Sequence, residues 1–351
     1  MFTTHSFNES LSIIDETNMK LLTVVLLCHN RPRFAVEAIK SILNQSTCAF
    51  DIVISDNSSN KQLQEIVNID FPSLQYKSWF PGIPAIEHFR KVISSVVTPY
   101  FVMFHDDDVM EPEYVETIIK QFSVTPHAAA VGTNGIMINS HGTRIKRGVT
   151  GNTHVFAASD KNIFFYDKHK FVLQYLAGDF GGAANFSSYA YNTELIKGIY
   201  PDLSKCRYYF DTIFLSQILD RGPIVWVNEP LVRMRNHDTT ISSSCGVLDY
   251  KSFIAFVSSE FGNRIKQIYI DEYHFTNLYV ALEKRGRGIP YPALKFLIYV
   301  FPKLVVSSWT FRRRVLNKLI QLVYSRLRIP SFHGNSPNGF IQPSLSSKDS
   351  K

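Results

Sequence analysis

The run LLTVVLLC, from Leu21 to Cys28, sets the fold of the first half of the chain. It is short and almost continuously apolar, which is typical of a strand buried on both faces in a parallel sheet. The next segment, Arg33–Leu43, has Ala35, Ile39 and Ile42 at helical spacing. The two segments together predict a strand followed by a helix that packs on the sheet.

The same alternation of apolar runs and helical patterns continues to about residue 138. Strands that alternate with helices at this spacing form right-handed βαβ units, so the predicted fold is α/β, with a doubly wound, mostly parallel sheet flanked by helices. In such sheets the ligand crevice lies at the carboxyl ends of the strands. Further strands are predicted at 51–55, 74–79, 100–104 and 128–138, and helices at 61–67, 85–96 and 112–122.

The second half of the chain is less regular. Residues 139–170 predict a loop or a small hairpin, a helix is expected at Asp211–Leu219, and a short strand is expected at Ile224–Val227. The last residues are rich in Ser, Pro, Asn and Gly, which is typical of disorder. The predicted segments are an N-terminal extension (1–20), one α/β domain (21–245, with halves at about 21–138 and 171–245), a mostly helical basic region (246–328) and a disordered tail (329–351).

Length and composition exclude several classes of protein. The chain has 351 residues, of which 45% are hydrophobic and 19% are charged, and this excludes a disordered chain, a collagen and a coiled coil. The four cysteines are widely spaced, which fits reduced thiols in a cytoplasmic protein better than a disulfide framework or a zinc finger. The polar N-terminus has no secretory signal pattern.

The net charge of +7 comes from one C-terminal segment. Glu283–Arg328 holds eleven basic residues and one acidic residue, so the rest of the chain has a net charge of −3. Its many apolar residues favour lipid or a packed helix over nucleic acid as the partner. The most apolar run, Tyr291–Ser308, contains two prolines and two lysines, which excludes a membrane span. Two alternatives stay open: a helix lying on an anionic membrane, or a helix packed on its own domain.

Polar residues follow three of the predicted strands. Each set alone is ordinary turn or helix-cap chemistry, but together they meet at one edge of a parallel sheet, which predicts a site. Adjacent carboxylates repel one another, so three aspartates favour a divalent cation, Mg²⁺ or Mn²⁺, that bridges to a nucleotide diphosphate. The sets are His29, Asn30 and Arg31 after the first strand, Asp56 and Asn57 after the second, and Asp106, Asp107 and Asp108 after the strand at 100–104.

Two common nucleotide-binding motifs are absent from the sequence. No GxGxxG follows the first strand, which disfavours a nicotinamide-binding Rossmann domain. No GxxxxGK[ST] occurs, which excludes a P-loop NTPase on motif grounds.

Four stretches of the chain carry a family resemblance. TVVLLCHNRP (23–32), SDNSS (55–59), YFVMFHDDDVMEPEYV (100–115) and YYFDTIFLSQILDRGPIVWVNEPLVRMRNHDTTIS (208–242) occur in this order. In that combination they resemble the donor and acceptor halves of family-2 glycosyltransferases of the GT-A fold. The resemblance covers Leu21–Ser242 and implies an inverting enzyme that uses a nucleotide-diphosphate sugar and a divalent metal.

The resemblance also implies roles for particular residues. His105 stands where many relatives carry Asp, which shifts metal ligation to the remaining carboxylates. The donor would be bound by His29, Asn30, Arg31, Asp56, Asn57, Pro84, His88 and Asp106. The metal, Mn²⁺ or Mg²⁺, would be held by Asp107, Asp108 and His237. The catalytic base would be Asp211, and the acceptor would lie against Gly181 and Gly182.

Several of these residues have plain structural interpretations as well. His88 could be an exposed polar residue on a helix face, and His237 could be a structural or exposed histidine. Asp211 could be a helix N-cap, and the glycines at 181 and 182 could form an ordinary loop.

The resemblance implies a biological setting and leaves two rival functions. The setting is synthesis of a bacterial surface polysaccharide, O-antigen or capsule, on a glycan or lipid-linked acceptor at the inner, cytoplasmic face of the cell membrane; nucleic acid is not an expected partner. The first rival is a nucleotidyltransferase on a similar sheet, for which only Arg31 and Arg33 are available to hold a triphosphate. The second is a non-catalytic protein that binds lipid or nucleic acid through the basic segment.

Overall fold

The computed structural model describes residues 19–144, 163–177, 186–202, 204, 209–237, 247–275, 291–308, 311, 312 and 315. The predicted disordered tail and almost all of the predicted N-terminal extension lie outside this part of the chain. Gly181 and Gly182, the candidate acceptor residues, also lie outside it.

Strands and helices alternate through the first half of the chain in the predicted order. The strands are β1 (Leu22–Cys28), β2 (Phe50–Asp56), β3 (Gln75–Ser78), β4 (Tyr100–His105), β5 (Val109–Met110), β6 (Ala130–Ile138), β7 (Ile163–Phe165), β8 (Tyr189–Asn192) and β9 (Ile224–Arg235). The α-helices are α1 (Pro32–Leu43), α2 (Gln62–Asp70), α3 (Ala85–Ser95), α4 (Tyr114–Val124), α5 (Lys168–Ala177), α6 (Phe210–Ile218), α7 (Val247–Phe261) and α8 (Tyr291–Ser307). Residues 267–275 are also helical, and short 3-10 helices lie at Phe186–Ser188 and Gly262–Arg264.

One nine-stranded sheet organises the described residues. Its strand order is β3-β2-β1-β4-β8-β6-β9-β5, and β7 pairs with β9. The first four strands along the chain pair in parallel, as predicted. The second half is mixed, because β8 runs antiparallel between β4 and β6, whereas β9 is parallel to β6. The carboxyl ends of β1, β2, β4, β6 and β9 therefore share one edge.

Helices cover both faces of the sheet, and β1 shows this most directly. All seven residues of β1 are buried. Leu22, Val24 and Leu26 pack into a core with α1, α2 and α4. Val25 and Leu27 pack on the opposite face with residues of α3, α5 and α6. Burial on both faces is the reason that this strand is almost continuously apolar.

Strand β9 is three times as long as predicted. The prediction of a strand that ends at Val227 is wrong, because the strand runs over twelve residues to Arg235. Its pairing with β6 shifts register on either side of Pro230, so a local irregularity absorbs the proline and the polar residues before it. As a consequence, Arg235 reaches the carboxyl edge of the sheet.

The described part of the C-terminal region is helical, as predicted. In α8, Val300 and Leu304 are buried together with Phe311, whereas Ile298 and Val306 are exposed. One side of α8 therefore packs, and another side faces solvent. Among the described residues, no helix is both long enough and apolar enough to cross a membrane.

Candidate active site

The carboxyl ends of β1, β2 and β4 lie side by side. Cys28 pairs with Asp56 between β1 and β2, and Leu27 pairs with His105 between β1 and β4. The three polar sets that follow these strands therefore meet at one edge of the sheet, and this prediction is confirmed.

The loop after β1 is fastened to the loop after β2. Asn30 has a left-handed backbone (φ 55°), and its Oδ1 accepts hydrogen bonds from the backbone N–H of Ser59 and the side chain of Asn60, both at 3.0 Å. Nδ1 of His29 lies 2.8 Å from the carbonyl oxygen of Asn57, and because a carbonyl only accepts, Nδ1 carries the hydrogen. His29 and Asn30 stay exposed to solvent, where a ligand can reach them.

Asp56 ends β2 with its carboxylate buried. Oδ1 accepts the backbone N–H of Ser58 at 2.9 Å, and Oδ2 accepts the hydroxyl of Tyr76. Tyr76 is absent from the sequence prediction, although it lies on β3, which is paired with β2. A hydrogen-bond donor of a ligand that reaches Asp56 must therefore share its carboxylate with Ser58 and Tyr76.

Asn57 positions the loop between β3 and α3. Its Oδ1 accepts the backbone N–H of Ile83 at 2.8 Å, and its Nδ2 donates to the carbonyl of Ile83 at 2.9 Å. Gly82, the residue before Ile83, has φ +115°, a conformation that favours glycine. Pro84 directly precedes α3 and is exposed. Asn57 thus fixes the backbone on which Pro84 is presented.

His88 is buried in α3, so its interpretation as an exposed polar residue is wrong. Its Nε2 is hydrogen-bonded to Oγ of Ser55 at 2.7 Å, and the same Oγ accepts the indole N–H of Trp79 at 3.0 Å. Burial lowers the pKa of His88 to about 4, so the imidazole is neutral at neutral pH. The signal that could have revealed this burial is the apolar Val92, four residues later on the same helix face.

The first two carboxylates of the acidic triplet (Asp106–Asp108) share one arginine. Asp106 pairs with Nη2 of Arg31 at 2.5 Å and accepts the backbone N–H of His29 at 2.8 Å. Oδ2 of Asp107 pairs with Nη1 of Arg31 at 2.6 Å and accepts Nε2 of His237 at 3.0 Å. Burial acts to raise the pKa of Asp107, but the guanidinium and two neighbouring histidines outweigh it, so this pKa lies below its usual value.

Three side chains at this edge could hold a metal ion. Ligand atoms of His105, Asp107 and Asp108 all lie within 4.8 Å of one another. Carboxylate oxygens suit Mg²⁺ and Mn²⁺, and the imidazole nitrogen favours Mn²⁺ of the two. Burial and the charge of Asp107 raise the pKa of Asp108 to about 7, and a divalent cation would offset this concentration of negative charge. The donor set therefore fits the predicted cofactor.

His105 is the candidate ligand that sequence reasoning missed. In the sequence it shows only as a missing aspartate, yet an imidazole nitrogen is itself a metal ligand. Asp106 pairs with Arg31 and His237 is hydrogen-bonded through Nε2 to Asp107, and neither is among the three residues whose ligand atoms cluster. The role of His237 as a ligand stays a prediction.

Arg235 holds the acidic triplet from the end of β9. Its backbone N–H donates to Oδ1 of Asp108 at 3.0 Å, and its Nε donates to the carbonyl of Asp107 at 2.9 Å. The buried guanidinium also pairs with Glu37 of α1 at 2.5 Å and lies over the ring of Phe34, 4.7 Å from the centroid. Sequence reasoning missed this residue because the predicted strand ended too early.

Asp211 lies in the first turn of α6, two residues after the N-cap residue Tyr209. The N-cap interpretation is therefore wrong in position, although Oδ1 does accept the backbone N–H of Thr212 at 2.7 Å. Burial raises the pKa of Asp211 to about 7, against the opposing hydrogen bonds from Thr212. A carboxylate with this pKa exchanges its proton readily at neutral pH, as a general base must.

Phe186 connects the candidate base to the acidic edge. Its ring centroid lies 5.9 Å from that of His105 and 5.2 Å from that of Phe210, the residue before Asp211. The start of α6 and the end of β4 therefore contact the same side chain.

Two solved structures share this fold over most of the chain. The crystal structure of S. aureus TarS 1-349 matches with a TM-score of 0.51 and 13% identity, covering 88% of this chain and 84% of that chain. The crystal structure of S. aureus TarS 1-349 in complex with UDP-GlcNAc matches with a TM-score of 0.50 and 15% identity, covering 81% and 80%. Identities this low establish the fold alone. The architecture is a GT-A-like α/β fold, as predicted.

A family model matches the first half of the chain. Residues 23–186, which contain β1 to β6 and the acidic triplet, match the model of glycosyl transferase family 2. The comparison with curated protein sequences gives no match. Residues 23–186 are therefore similar to glycosyl transferase family 2, and the protein is a glycosyltransferase.

Proposed function

We propose that this enzyme moves a sugar from a nucleotide-diphosphate donor to a hydroxyl of a glycan or lipid-linked acceptor, with inversion at the anomeric carbon and with Mn²⁺ or Mg²⁺ as cofactor. The observation that carries the proposal is the group His105, Asp107 and Asp108 at the carboxyl edge of the sheet. The ligand crevice of α/β sheets lies at this edge. A bound divalent ion would supply positive charge for the leaving diphosphate.

The donor nucleoside is proposed to lie on the loops after β1 and β2 and on the loop before α3. His29, Asn30 and Pro84 are exposed there, so they can contact a ligand directly. Asn57 and His88 support this surface from behind, since both are buried and hydrogen-bonded within the protein. Asp56 can accept a hydrogen bond from an N–H of the base only in addition to those from Ser58 and Tyr76.

Asp211 is proposed as the catalytic base. The acceptor hydroxyl must lose its proton as its oxygen bonds to the anomeric carbon and the bond to the diphosphate breaks. A carboxylate within hydrogen-bond reach can take that proton, and a pKa of about 7 suits the task at neutral pH. Gly181 and Gly182 are proposed to border the acceptor.

The setting is proposed from the C-terminal region. The exposed residues of α8 include Lys295, Lys303, Ile298, Tyr299 and Val306, and a mixture of basic and apolar side chains suits the surface of an anionic membrane. This supports the proposed location at the inner face of the cell membrane. Synthesis of O-antigen or capsule there, by a domain at 21–245 with a helical region at 246–328, is proposed from the family resemblance alone. Co-sedimentation with anionic vesicles tests the location, and binding to neutral and anionic vesicles alike would contradict it.

The test of the activity is a panel of nucleotide sugars. UDP-GlcNAc belongs in the panel because the matching TarS structure holds it. Release of nucleoside diphosphate that stops with a chelator and returns with Mn²⁺ is the expected result. Release of pyrophosphate would instead identify a nucleotidyltransferase. Absence of turnover with every donor, together with salt-sensitive binding of DNA, would identify a non-catalytic binding protein.

A further inference from the structure

The guanidinium of Arg31 bridges two adjacent carboxylates. Nη2 lies 2.5 Å from Oδ1 of Asp106, and Nη1 lies 2.6 Å from Oδ2 of Asp107. The Asp106 carboxylate is fully buried and that of Asp107 is 10% exposed, whereas the side chain of Arg31 is 27% exposed. The arginine therefore enters the acidic edge from the solvent side, and its single positive charge reduces the repulsion between the two carboxylates.

Arg31 pairs with a carboxylate that the metal-binding group would also use. Asp107 belongs to the candidate metal group and is paired with Arg31 at the same time. A divalent cation bound by Asp107 would share this carboxylate with the guanidinium, and two cations on one partly buried carboxylate repel each other. The arginine and the metal ion are thus alternative counter-ions for Asp107.

The surroundings of Arg31 also allow its guanidinium to move away from Asp107. Its Nε is buried and has no hydrogen-bond partner among the described residues, so its present position does not use all of its donors. Its backbone stands just before α1, outside regular structure, and part of the side chain already meets solvent. Asp106 would keep the backbone N–H of His29 if the guanidinium moved.

We propose that Arg31 is a displaceable internal counter-ion of the metal site. It pairs with Asp106 and Asp107 in this structure, and it turns from Asp107 toward the diphosphate of the donor when a divalent ion binds. This inference rests on the proposed metal dependence. Arginine binds phosphate oxygens through two parallel hydrogen bonds, so the same side chain can serve both positions.

The decisive experiment is calorimetric titration with Mn²⁺ alone, without nucleotide. Arg31→Met removes the competing charge, and Mn²⁺ should bind at least about tenfold more tightly than in the wild type. Arg33→Met is the matched control, since Arg33 is exposed two residues away, and its affinity should stay within about threefold of wild type. Unchanged or weaker Mn²⁺ binding by Arg31→Met would overturn the proposal, because Arg31 would then only shape the triplet.

A second measurement uses the wild-type enzyme, in case Arg31→Met fails to fold. The Nε–H signal of Arg31, assigned by its loss in Arg31→Lys, should shift on addition of Mg²⁺ in an NMR spectrum of ¹⁵N-arginine-labelled protein. No shift at saturating Mg²⁺ would overturn the proposal. If neither the wild type nor Arg31→Met binds Mn²⁺, the metal dependence itself fails. If transfer requires metal but the two proteins bind Mn²⁺ equally, only the role of Arg31 fails.

Discussion

The two halves of the sheet supply the candidate site in different ways. In the first half, β1, β2 and β4 are parallel, and the residues of the three polar sets end these strands or follow them within three residues. In the second half, Arg235 reaches Asp108 from 127 residues away, at the end of an irregular strand, and Asp211 stands on a separate helix. Local sequence therefore specifies the donor loops, whereas long-range packing specifies how the triplet is held and where the base stands.

The largest expected effect lies in the second half, at Asp211. Asp211→Asn keeps the shape of the side chain and can still accept the N–H of Thr212, but it cannot take a proton. Turnover should fall by about 10²–10⁴-fold, while donor affinity stays close to wild type. Transfer kinetics and calorimetric donor binding measure the two quantities separately.

The control for Asp211 is Asp220→Asn. Asp220 is exposed after the end of α6 and pairs with Lys168, so the same chemical change there should leave turnover unaltered. Wild-type turnover in Asp211→Asn would mean that α6 supplies no reactive group. The base would then have to be sought at Asp202, or at Asp179 and Asp238 outside the described residues.

Arg235 tests whether the second half also holds the triplet. Arg235→Met keeps much of the side-chain volume but leaves the carbonyl of Asp107 and the carboxylate of Glu37 without their donor. The free energy of unfolding should fall by about 3 kcal/mol, the low end for a broken buried pair because Glu37 is partly exposed. Denaturant unfolding measures this change.

Arg233→Met is the matched control on the same strand. Arg233 pairs with Glu111 at 2.8 Å, but its side chain is 38% exposed, so its loss should cost at most about 1 kcal/mol. Equal losses for the two variants would show that burial of Arg235 is not what holds the triplet, and the contrast between the two halves would weaken.

The strand ends of the first half could be predicted because their signals are local. The apolar run of β1 and the polar residues behind β1, β2 and β4 are adjacent in sequence, so the periodicity alone places them at one edge. The end of β9 could not be predicted, since Pro230 and its polar neighbours resemble a strand terminus until pairing with β6 is known. The partners of Arg235 follow only from that pairing.

The sequence predicts the role of the acidic triplet as a whole better than the roles of its individual residues. Three carboxylates after a strand predict a metal site, but the choice among them depends on neighbours that come from β9 and from the loop after β1. Pairing of Asp106 with Arg31 is a three-dimensional fact, and so is the approach of His105 to Asp107. Neither of these two contacts can be predicted from residue type and spacing.

Asp107 and Asp108 should differ as metal ligands. Asp107 has a lowered pKa and is ionised at neutral pH, whereas Asp108 has a pKa of about 7 and is partly protonated without metal. Asp107→Ala should weaken Mn²⁺-dependent binding of nucleoside diphosphate by about 100-fold and Asp108→Ala by about tenfold. Asp70→Ala, at an exposed position on α2, is the calorimetric control. The reverse order would show that Asp108 is the principal ligand.

The pH dependence of transfer separates a base in the second half of the sheet from any titrating group in the first half. Burial raises the pKa of Asp211 to about 7, so below that pH its carboxylate form decreases tenfold for each pH unit. The wild-type kcat/KM should therefore rise about tenfold per unit at acidic pH and level off above about pH 8. The raised pKa also means that the folded protein binds this proton more tightly than the unfolded chain. The stability of the wild type relative to Asp211→Asn should therefore fall as the pH rises from about 4 through 7. Asp211→Asn should lose the acidic limb from its residual activity. If kcat/KM of this variant still falls at acidic pH, the titrating group lies in the acidic triplet, and the pH dependence arises in the first half of the sheet.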